Sequence, residues 1–153
     1  MPPVRTYPYE AMFLIGQAAA ANLPEVIDHI KDIFNRAGAE LIAMKKWDER
    51  RLAYEIKKQK RGLYILTYFR AQNTALPGIE RDVNLSERIM RVMILRADHL
   101  TEDEMRAADS RDALEAEARM RASAAEQGAA QAEAAAAEPA GAGAEEEGEP
   151  AEA

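Results

Sequence analysis

The sequence contains no cysteine among its 153 residues. It therefore cannot form a disulfide framework, a thiolate nucleophile or a cysteine-based zinc or iron–sulfur site. Histidine is scarce as well, since only His29 and His99 are present. Two isolated histidines without a neighbouring ligand cluster do not suggest a metal site. We predict structural or incidental roles for both histidines, and we expect neither a metal nor another cofactor.

Long apolar runs and phosphate-binding glycine motifs are also missing. No stretch approaches the roughly 20 apolar residues that cross a bilayer, and the first five residues lack the apolar stretch of a signal peptide. The sequence has no P-loop and no glycine-rich dinucleotide fingerprint. No pair of carboxylates is set apart as acid and base. We therefore predict a non-enzymatic cytoplasmic protein that has neither a membrane nor a small-molecule substrate as a partner.

Charge divides the chain into two unlike parts. Residues 1–100 hold 16 Lys and Arg against 12 Asp and Glu, whereas residues 101–153 hold 4 against 15. Such asymmetry predicts a basic-leaning folded domain with an acidic appendage. In the appendage, Thr101 and Glu104 have the spacing of a capping box. We predict a solvated, charged helix over 101–127 and a disordered Ala-, Glu-, Gly- and Pro-rich tail over 128–153.

Apolar periodicity predicts two helices and four strands in the first 100 residues. Asn22 can cap the first helix, with Pro24 in its first turn and Gly38 just past its end. The second helix begins near Leu76, and a basic turn covers 57–62. The predicted strands cover residues 9–15, 40–56, 63–70 and 89–96. This βαββαβ order predicts an α+β, ferredoxin-like fold, in which two helices cover one face of a four-stranded antiparallel sheet.

The sheet face away from the helices should be polar wherever it meets water. Strand alternation instead places apolar side chains on that open face: Met12, Leu14, Tyr64, Leu66, Tyr68, Met93 and Leu95. Large exposed apolar patches usually mark interaction sites, so we interpret this face as a surface for a partner protein or for bases. Two alternatives stay open. The face assignment slips at a bulge, or the tail helix folds back over the face.

Positive charge is concentrated in one predicted hairpin, where Trp47 and Tyr54 are interleaved with basic residues. These are Lys45, Lys46, Arg50, Arg51, Lys57, Lys58, Lys60 and Arg61, and the hairpin patch can be extended by Arg88, Arg91 and Arg96. Lys and Arg bind phosphates, and RNA recognition adds stacking on aromatic or guanidinium planes. We favour a nucleic-acid contact. The alternative is a solvated hairpin whose charges only protect the sheet from edge pairing.

The segment Arg50-Arg51-Leu52-Ala53-Tyr54, followed by Ile56 and a basic turn into Gly62-Leu63-Tyr64, resembles the signature of the bacterial small-subunit ribosomal protein S6 family. The Tyr9-Glu10 start of the first strand and the last strand, 89–96, are similar to the same family. Together these motifs cover residues 7 to about 97 in the family's order and spacing. The resemblance implies a ferredoxin-like fold and a structural, RNA-binding role in the ribosome.

The resemblance also implies specific partners. It implies a place on the small-subunit platform and joint binding of the central domain of small-subunit ribosomal RNA with ribosomal protein S18. Protein S18 would then be a partner for the apolar open face. Carried over by position, Arg50, Arg51 and Tyr54 are the first candidates for RNA contact, and Arg91 comes next.

Two positions depart from the family's pattern. Asp48 stands where Gly is common before the arginine pair, and Glu55 stands where Pro is frequent after Tyr54. We expect the first change to alter the bend of the strand and the second to add negative charge beside the basic patch.

Two other interpretations share the βαββαβ order. An RNA-recognition module would need an aromatic, a small and an aromatic residue where Leu63, Tyr64 and Ile65 stand, so we reject it. A small-molecule-sensing or acyl-phosphate-cleaving domain would need an anion-binding loop with a placed Arg after the first strand. The segment 16–22 has one Gly and no Arg. Reproducible stabilisation of the domain by one metabolite would revive this second interpretation.

Overall fold

The computed structural model describes residues 3–137. The strands are β1 (Tyr7–Gly16), β2 (Glu40–Ile56), β3 (Gln59–Ala71) and β4 (Ile89–Arg96). The α-helices in the described part are α1 (Gln17–Ala20), α2 (Leu23–Arg36), α3 (Leu76–Leu85), α4 (Glu102–Ala107) and α5 (Arg111–Ala137). The βαββαβ order and the ferredoxin-like fold predicted from the sequence are confirmed. The short helix α1 was not predicted.

The four strands form one antiparallel sheet in the order β2-β3-β1-β4. β3 pairs with β1 in unbroken register from Tyr7 opposite Ala71 to Gly16 opposite Gly62. β2 is less regular, because its register against β3 shifts at three places along the strand. Such bulges bend a strand and increase its local twist. The far end of the β2–β3 hairpin therefore departs from the plane of the sheet.

Helices α2 and α3 cover one face of the sheet because each carries an apolar stripe. In α2 every third or fourth residue is buried: Leu23, Val26, Ile27, Ile30, Ile33 and Phe34. The Phe34 ring lies between Phe13 of β1 and Phe69 of β3, with centroid distances of 5.8 and 4.7 Å. Ile79 and Val83 of α3 extend the same core. The spacing of the apolar residues thus determines both that these segments are helical and which side of each helix packs on the sheet.

The two ends of α2 differ in how well the sequence predicts them. Gly38 follows the helix with a φ of +68°, as predicted. Its N–H donates to the carbonyl of Asn35, and the N–H of Ala39 donates to that of Phe34, which is a Schellman motif. Asn22 occupies the N-cap position, but within the described residues its side chain makes no capping hydrogen bond. The prediction of a side-chain cap is therefore wrong.

The turn between β2 and β3 is shorter than the sequence predicts. Only Lys57 and Lys58 form it, with φ values of +47° and +64°, and Ile56 pairs with Gln59 on either side. Positive φ at both central residues is the geometry of the two-residue hairpin turn that matches the twist of the flanking strands. The predicted turn at 57–62 is wrong for its last four residues, which belong to β3.

The segment after residue 100 is part of the folded unit. The capping box predicted at Thr101 and Glu104 is confirmed. Helix α5 is not the solvated helix that we expected, because Leu114 and Ala118 are buried in the main core beside α2. From residue 123 to its end, however, every residue of α5 is exposed.

Helix α5 also continues past the point where the sequence predicts disorder to begin. It passes through Gly128 and ends at Ala137. The packed first half nucleates the helix, and the Ala-rich second half adds residues of high helix propensity at little cost. The prediction of disorder for residues 138–153 lies outside the described residues.

The burial of Leu114 yields a test of whether α5 belongs to the fold. Leu114 is 2% exposed and Met120, on the same helix, is 69% exposed. We expect Leu114→Ala to lower the free energy of unfolding by about 2–5 kcal/mol, as large-to-small changes in cores do. Met120→Ala is the matched control and should change it by less than about 0.5 kcal/mol. Urea denaturation followed by circular dichroism measures both, and equal effects of the two changes would contradict the packing of α5.

Candidate RNA and protein interface

The far end of the β2–β3 hairpin folds back over the open face of the sheet. Leu52 of β2 is buried against Leu14 and Met90, with Ile56 and Tyr64 packed around them. Gly62, on the neighbouring strand β3, is closely packed against both leucines. A Cβ on Gly62 would collide with Cδ1 of Leu14 and lie 3.4 Å from Cδ2 of Leu52.

A groove of about 410 Å³ lies between the folded-back hairpin and β4. Its walls are mostly apolar and include Met12, Leu14, Leu52, Ile56, Tyr64 and Met93. Arg91 and Tyr54 bridge its mouth, because Nη1 of Arg91 donates a hydrogen bond of 3.1 Å to the hydroxyl oxygen of Tyr54. The guanidinium of Arg91 also lies 5.8 Å from the centroid of the Tyr54 ring. Two predicted RNA-binding residues are thus in direct contact.

A second cationic and aromatic cluster lies at the base of the hairpin. The guanidinium of Arg50 stands over the Trp47 ring, 4.7 Å from its centroid, and Trp47 packs edge-on against Tyr64. Nε of Arg50 donates to the Asp48 carboxylate at 2.8 Å. That hydrogen bond, followed by one from the backbone N–H of Glu49, lowers the pKa of Asp48 below its usual value. Asp48 therefore stays ionised and orients Arg50.

The two departures from the family's pattern have distinct places. Asp48 lies beside one of the shifts in the β2–β3 register, and its effect on the bend of the strand stays a prediction. Glu55 is exposed beside Tyr54.

Trp47 is about half exposed and forms a stacking platform with Arg50. Trp47 is not among the residues that we predict to bind RNA, although its place between basic residues in the sequence points to it.

The remaining predicted RNA-binding residues occupy the outer part of the hairpin. Arg51 and Arg61 face each other across the two strands, Lys57 and Lys58 form the tip, and Lys60 follows in β3. All five are exposed. The hairpin therefore presents a continuous basic end, although the role of these residues in binding stays a prediction.

The predicted face assignment of the apolar residues is confirmed by the register. Met12 lies between Leu66 on β3 and Met93 on β4, so these three share one face of the sheet. Leu14 stands opposite Tyr64, and Glu10 stands between Tyr68 and Leu95. The alternative that the assignment slips at a bulge is wrong for these positions.

The open face is covered unevenly. The hairpin buries Leu14 at one end, and at the other end Met105 of α4 packs with Ile42, Ala43 and Ala97 next to Tyr68. The alternative that a tail helix covers the face thus holds only for α4, since α5 packs on the helix side against α2. Met93 and Leu95 remain 55% and 51% exposed.

His29 has a structural contact. Its Nε2 lies 2.8 Å from the hydroxyl oxygen of Ser86, which also accepts hydrogen bonds from the backbone N–H groups of Arg88 and Ile89. Partial burial, followed by the charge of Arg88, lowers the pKa of His29. The histidine therefore joins α2 to the turn before β4, and its side chain is partly buried.

Within residues 3–137, no group of three or more His, Cys, Asp or Glu side chains is placed to hold a metal ion. None of the helices in that range is both long enough and apolar enough to cross a membrane.

Comparison with known proteins identifies similar sequences and folds. Residues 8–96 match the family model described as Ribosomal protein S6. The small ribosomal subunit protein bS6 of Desulforamulus reducens is 35% identical over 89 residues, which cover 58% of this chain and 94% of that protein. The bS6 protein of Fusobacterium nucleatum is 33% identical over 91 residues, covering 59% and 97%. The crystal structure of 30S ribosomal protein S6 from Thermotoga maritima aligns with a TM-score of 0.58 at 27% identity, covering 67% and 98%.

The close approach at Gly62 can be tested by a double-mutant cycle. We expect Gly62→Ala to destabilise the fold by about 1–3 kcal/mol, because the added methyl overpacks the contact with Leu14. In a Leu14→Ala background the same change should cost much less, since the colliding atom is gone. Equilibrium denaturation of the four proteins gives the coupling energy. Additive effects would show that the hairpin does not rest on Leu14 as described.

Proposed function

The chain belongs to the ribosomal protein S6 family, and we propose that it binds the central domain of small-subunit ribosomal RNA together with protein S18 during assembly of the platform. As a member of this family it is a structural, non-enzymatic protein of the small ribosomal subunit, and it is located in the cytoplasm as part of the ribosome. The proposal concerns which surfaces bind the RNA and which bind the partner protein.

The observation that carries the RNA part is the composition of the β2–β3 hairpin. Lysines occupy both positive-φ positions of its tip. A non-glycine residue in that conformation costs about 1–2 kcal/mol, and Asn or Gly would avoid most of the cost. Lysine at both positions therefore makes the turn less stable than Asn or Gly would. We attribute the two lysines to a need for positive charge at the exposed tip of the hairpin. Mobile ammonium groups at such a point suit phosphate contacts.

Aromatic groups beside these charges support RNA over a purely electrostatic ligand. Tyr54 is 62% exposed and Trp47 is 48% exposed, and each has an arginine against its ring. Unpaired bases stack on aromatic and guanidinium planes, whereas duplex DNA offers no free base faces. The hairpin thus combines phosphate-binding and base-stacking groups on one projection.

The part of the open face left uncovered supports a protein partner. Met93 and Leu95 are adjacent, exposed apolar residues of that face on β4, and the groove of about 410 Å³ lies beside Met93. We assign this region to S18 rather than to bases, because aromatic rings suited to stacking lie on the hairpin side of the groove. The RNA and the protein partner would then meet at the mouth, where Arg91 contacts Tyr54.

The experiment that tests the proposal measures binding of a central-domain ribosomal RNA fragment, with and without S18, over a series of salt concentrations. We expect tight, salt-sensitive binding that requires S18. Tight binding without S18 would keep the RNA part and move the apolar face toward the bases. The absence of binding under both conditions would overturn the proposal.

The arginine pair provides a sharper test of the hairpin. We expect Arg50→Ala with Arg51→Ala to weaken RNA binding at least tenfold and to reduce the slope of log K against log salt by about 2, since two phosphate contacts are lost. The fold should be unaffected, because exposed charges contribute little to stability. The matched control is Arg36→Ala with Arg81→Ala, which removes the same charge on the helix side. Equal weakening by both pairs would show that only net charge matters.

The S18 surface can be tested separately from RNA. We expect Met93→Ser with Leu95→Ser to weaken binding to isolated S18 at least tenfold, as measured by isothermal titration calorimetry, because apolar area on the open face is lost. Leu85→Ser with Met120→Ser changes two similarly exposed apolar residues elsewhere and should have no effect. If the control pair weakens binding as much as the test pair, the assignment of the open face to S18 is wrong.

A further inference from the structure

Helix α5 runs alongside β2 and leads toward the hairpin end of the sheet. The N–H of Ser110, just before the helix, donates to the carbonyl of Met44 at 3.0 Å, and Arg121 pairs with Glu49 at 2.6 Å. Between these two contacts the helix and the strand each advance by about 16 Å, at roughly 1.5 and 3.3 Å per residue. The two elements are therefore parallel, and the exposed half of α5 continues in the direction in which β2 enters the hairpin.

The residues after α5 are acidic. The helix ends at Ala137, and residues 138–153 contain six Glu but no Asp, Lys or Arg. Four of these Glu fall within residues 145–149, which we call the acidic segment: Glu145, Glu146, Glu147 and Glu149. The acidic segment thus begins eight residues beyond the end of the helix.

The hairpin lies within the reach of the acidic segment. From the contact of Glu49 with Arg121, the strand extends at most about 30 Å to Lys58 and the helix about 24 Å to Ala137. A right angle between the two would separate their ends by about 38 Å. At roughly 3.3 Å per extended residue, Glu149 can lie up to about 40 Å from Ala137. The length of the chain therefore permits a contact within one molecule.

The hairpin also holds the cations that the fold leaves without a carboxylate. Five of its exposed basic residues form no ion pair with any residue in the range 3–137: Arg51, Lys57, Lys58, Lys60 and Arg61. Most basic residues elsewhere in that range are paired, including Lys31, Arg70 and Arg88. Residues 50–61 hold six Lys and Arg against one Glu, so their charge is nearly equal and opposite to that of residues 138–153.

We propose that the acidic segment binds in cis to the basic end of the β2–β3 hairpin and competes there with the phosphates of RNA. The competition rests on the proposed function, which assigns the hairpin to RNA, whereas the binding in cis does not require it. Carboxylates and phosphates both bind Lys and Arg through charge-assisted hydrogen bonds. A tether of this length gives an effective concentration on the order of 1 mM, so even a weak contact is populated.

Such competition sets a threshold for RNA binding. It lowers the affinity of every RNA that needs these basic residues by the same factor. An RNA with unpaired bases on the exposed rings of Tyr54 and Trp47 gains stacking energy in addition, which Glu side chains cannot replace. This RNA stays bound, whereas RNA that is held through phosphates alone is released. The acidic segment therefore acts against weak, purely electrostatic binding.

Binding in cis is tested in the free protein, without RNA. A zero-length carbodiimide crosslinker joins carboxylates to lysine ammonium groups that are in direct contact, and peptide mass spectrometry locates the links. We expect links from the acidic segment to Lys57, Lys58 or Lys60 in the monomer, with a yield that is independent of protein concentration. The absence of links to these lysines, or links found only in crosslinked dimers, would overturn the proposal.

Competition is tested with a full-length variant whose acidic segment is neutral. The neutral variant is Glu145→Gln with Glu146→Gln, Glu147→Gln and Glu149→Gln. The matched control makes the same change in net charge at exposed residues of α2, α3 and the turn after α3, and it is Asp28→Asn with Asp32→Asn, Glu80→Gln and Glu87→Gln. Circular dichroism checks that both variants fold. The probe is a short oligouridine, and fluorescence anisotropy measures its binding over a series of salt concentrations.

The neutral variant should bind the oligouridine at least fivefold more tightly than the wild type and the control at low salt. The gain should shrink as salt rises, because screening weakens the contact of the acidic segment with the hairpin. An equal gain in the control would show that only net charge acts, and it would overturn the competition. An oligouridine that binds none of the three proteins would overturn the RNA function of the hairpin together with the competition, and the crosslinks would still decide the binding in cis.

Discussion

A sheet that is apolar on both faces must be covered on both, and this constraint governs the arrangement of the whole chain. Helices α2, α3 and the first half of α5 cover one face around Phe34. The other face is covered piecemeal, by the folded-back hairpin over Leu14 and by α4 over Ile42. What these elements leave open is the β4 side, where Met93 and Leu95 meet solvent. This uncovered part of the open face is therefore available as a binding surface.

Apolar packing against the open face of the sheet also positions the basic residues of the β2–β3 hairpin. Leu52 is buried against Leu14 and Met90, and Gly62 packs closely beside both leucines. This contact brings the hairpin toward β4, so that Tyr54 meets Arg91 across the groove. At its base, Asp48 holds Arg50 over Trp47. The basic residues are therefore presented by apolar packing and oriented by a neighbouring carboxylate, and phosphate must compete with Asp48 for Arg50.

The sequence predicts the fold well wherever apolar residues recur at a regular helical or strand spacing. The helical stripe of α2 and the alternation in β1, β3 and β4 assign both faces correctly. The turn was misjudged because Lys57 and Lys58 adopt a conformation that sequence rules reserve for Gly and Asn. The packing of α5 was missed because Leu114 and Ala118 form too sparse a stripe to read as apolar. The contact of Tyr54 with Arg91 joins residues 37 apart in sequence, which local patterns cannot reveal.

Helix α5 also has a geometric consequence for the ribosomal particle that contains this protein. Its buried half fixes the direction of the axis, and residues 123–137 continue along it with every residue exposed. At 1.5 Å per residue this exposed half is roughly 22 Å long. A helix of that length excludes neighbouring molecules from the space along its axis. In a crowded assembly, the exposed half of α5 needs unoccupied space along its axis. This need restricts the orientations in which the protein can be accommodated.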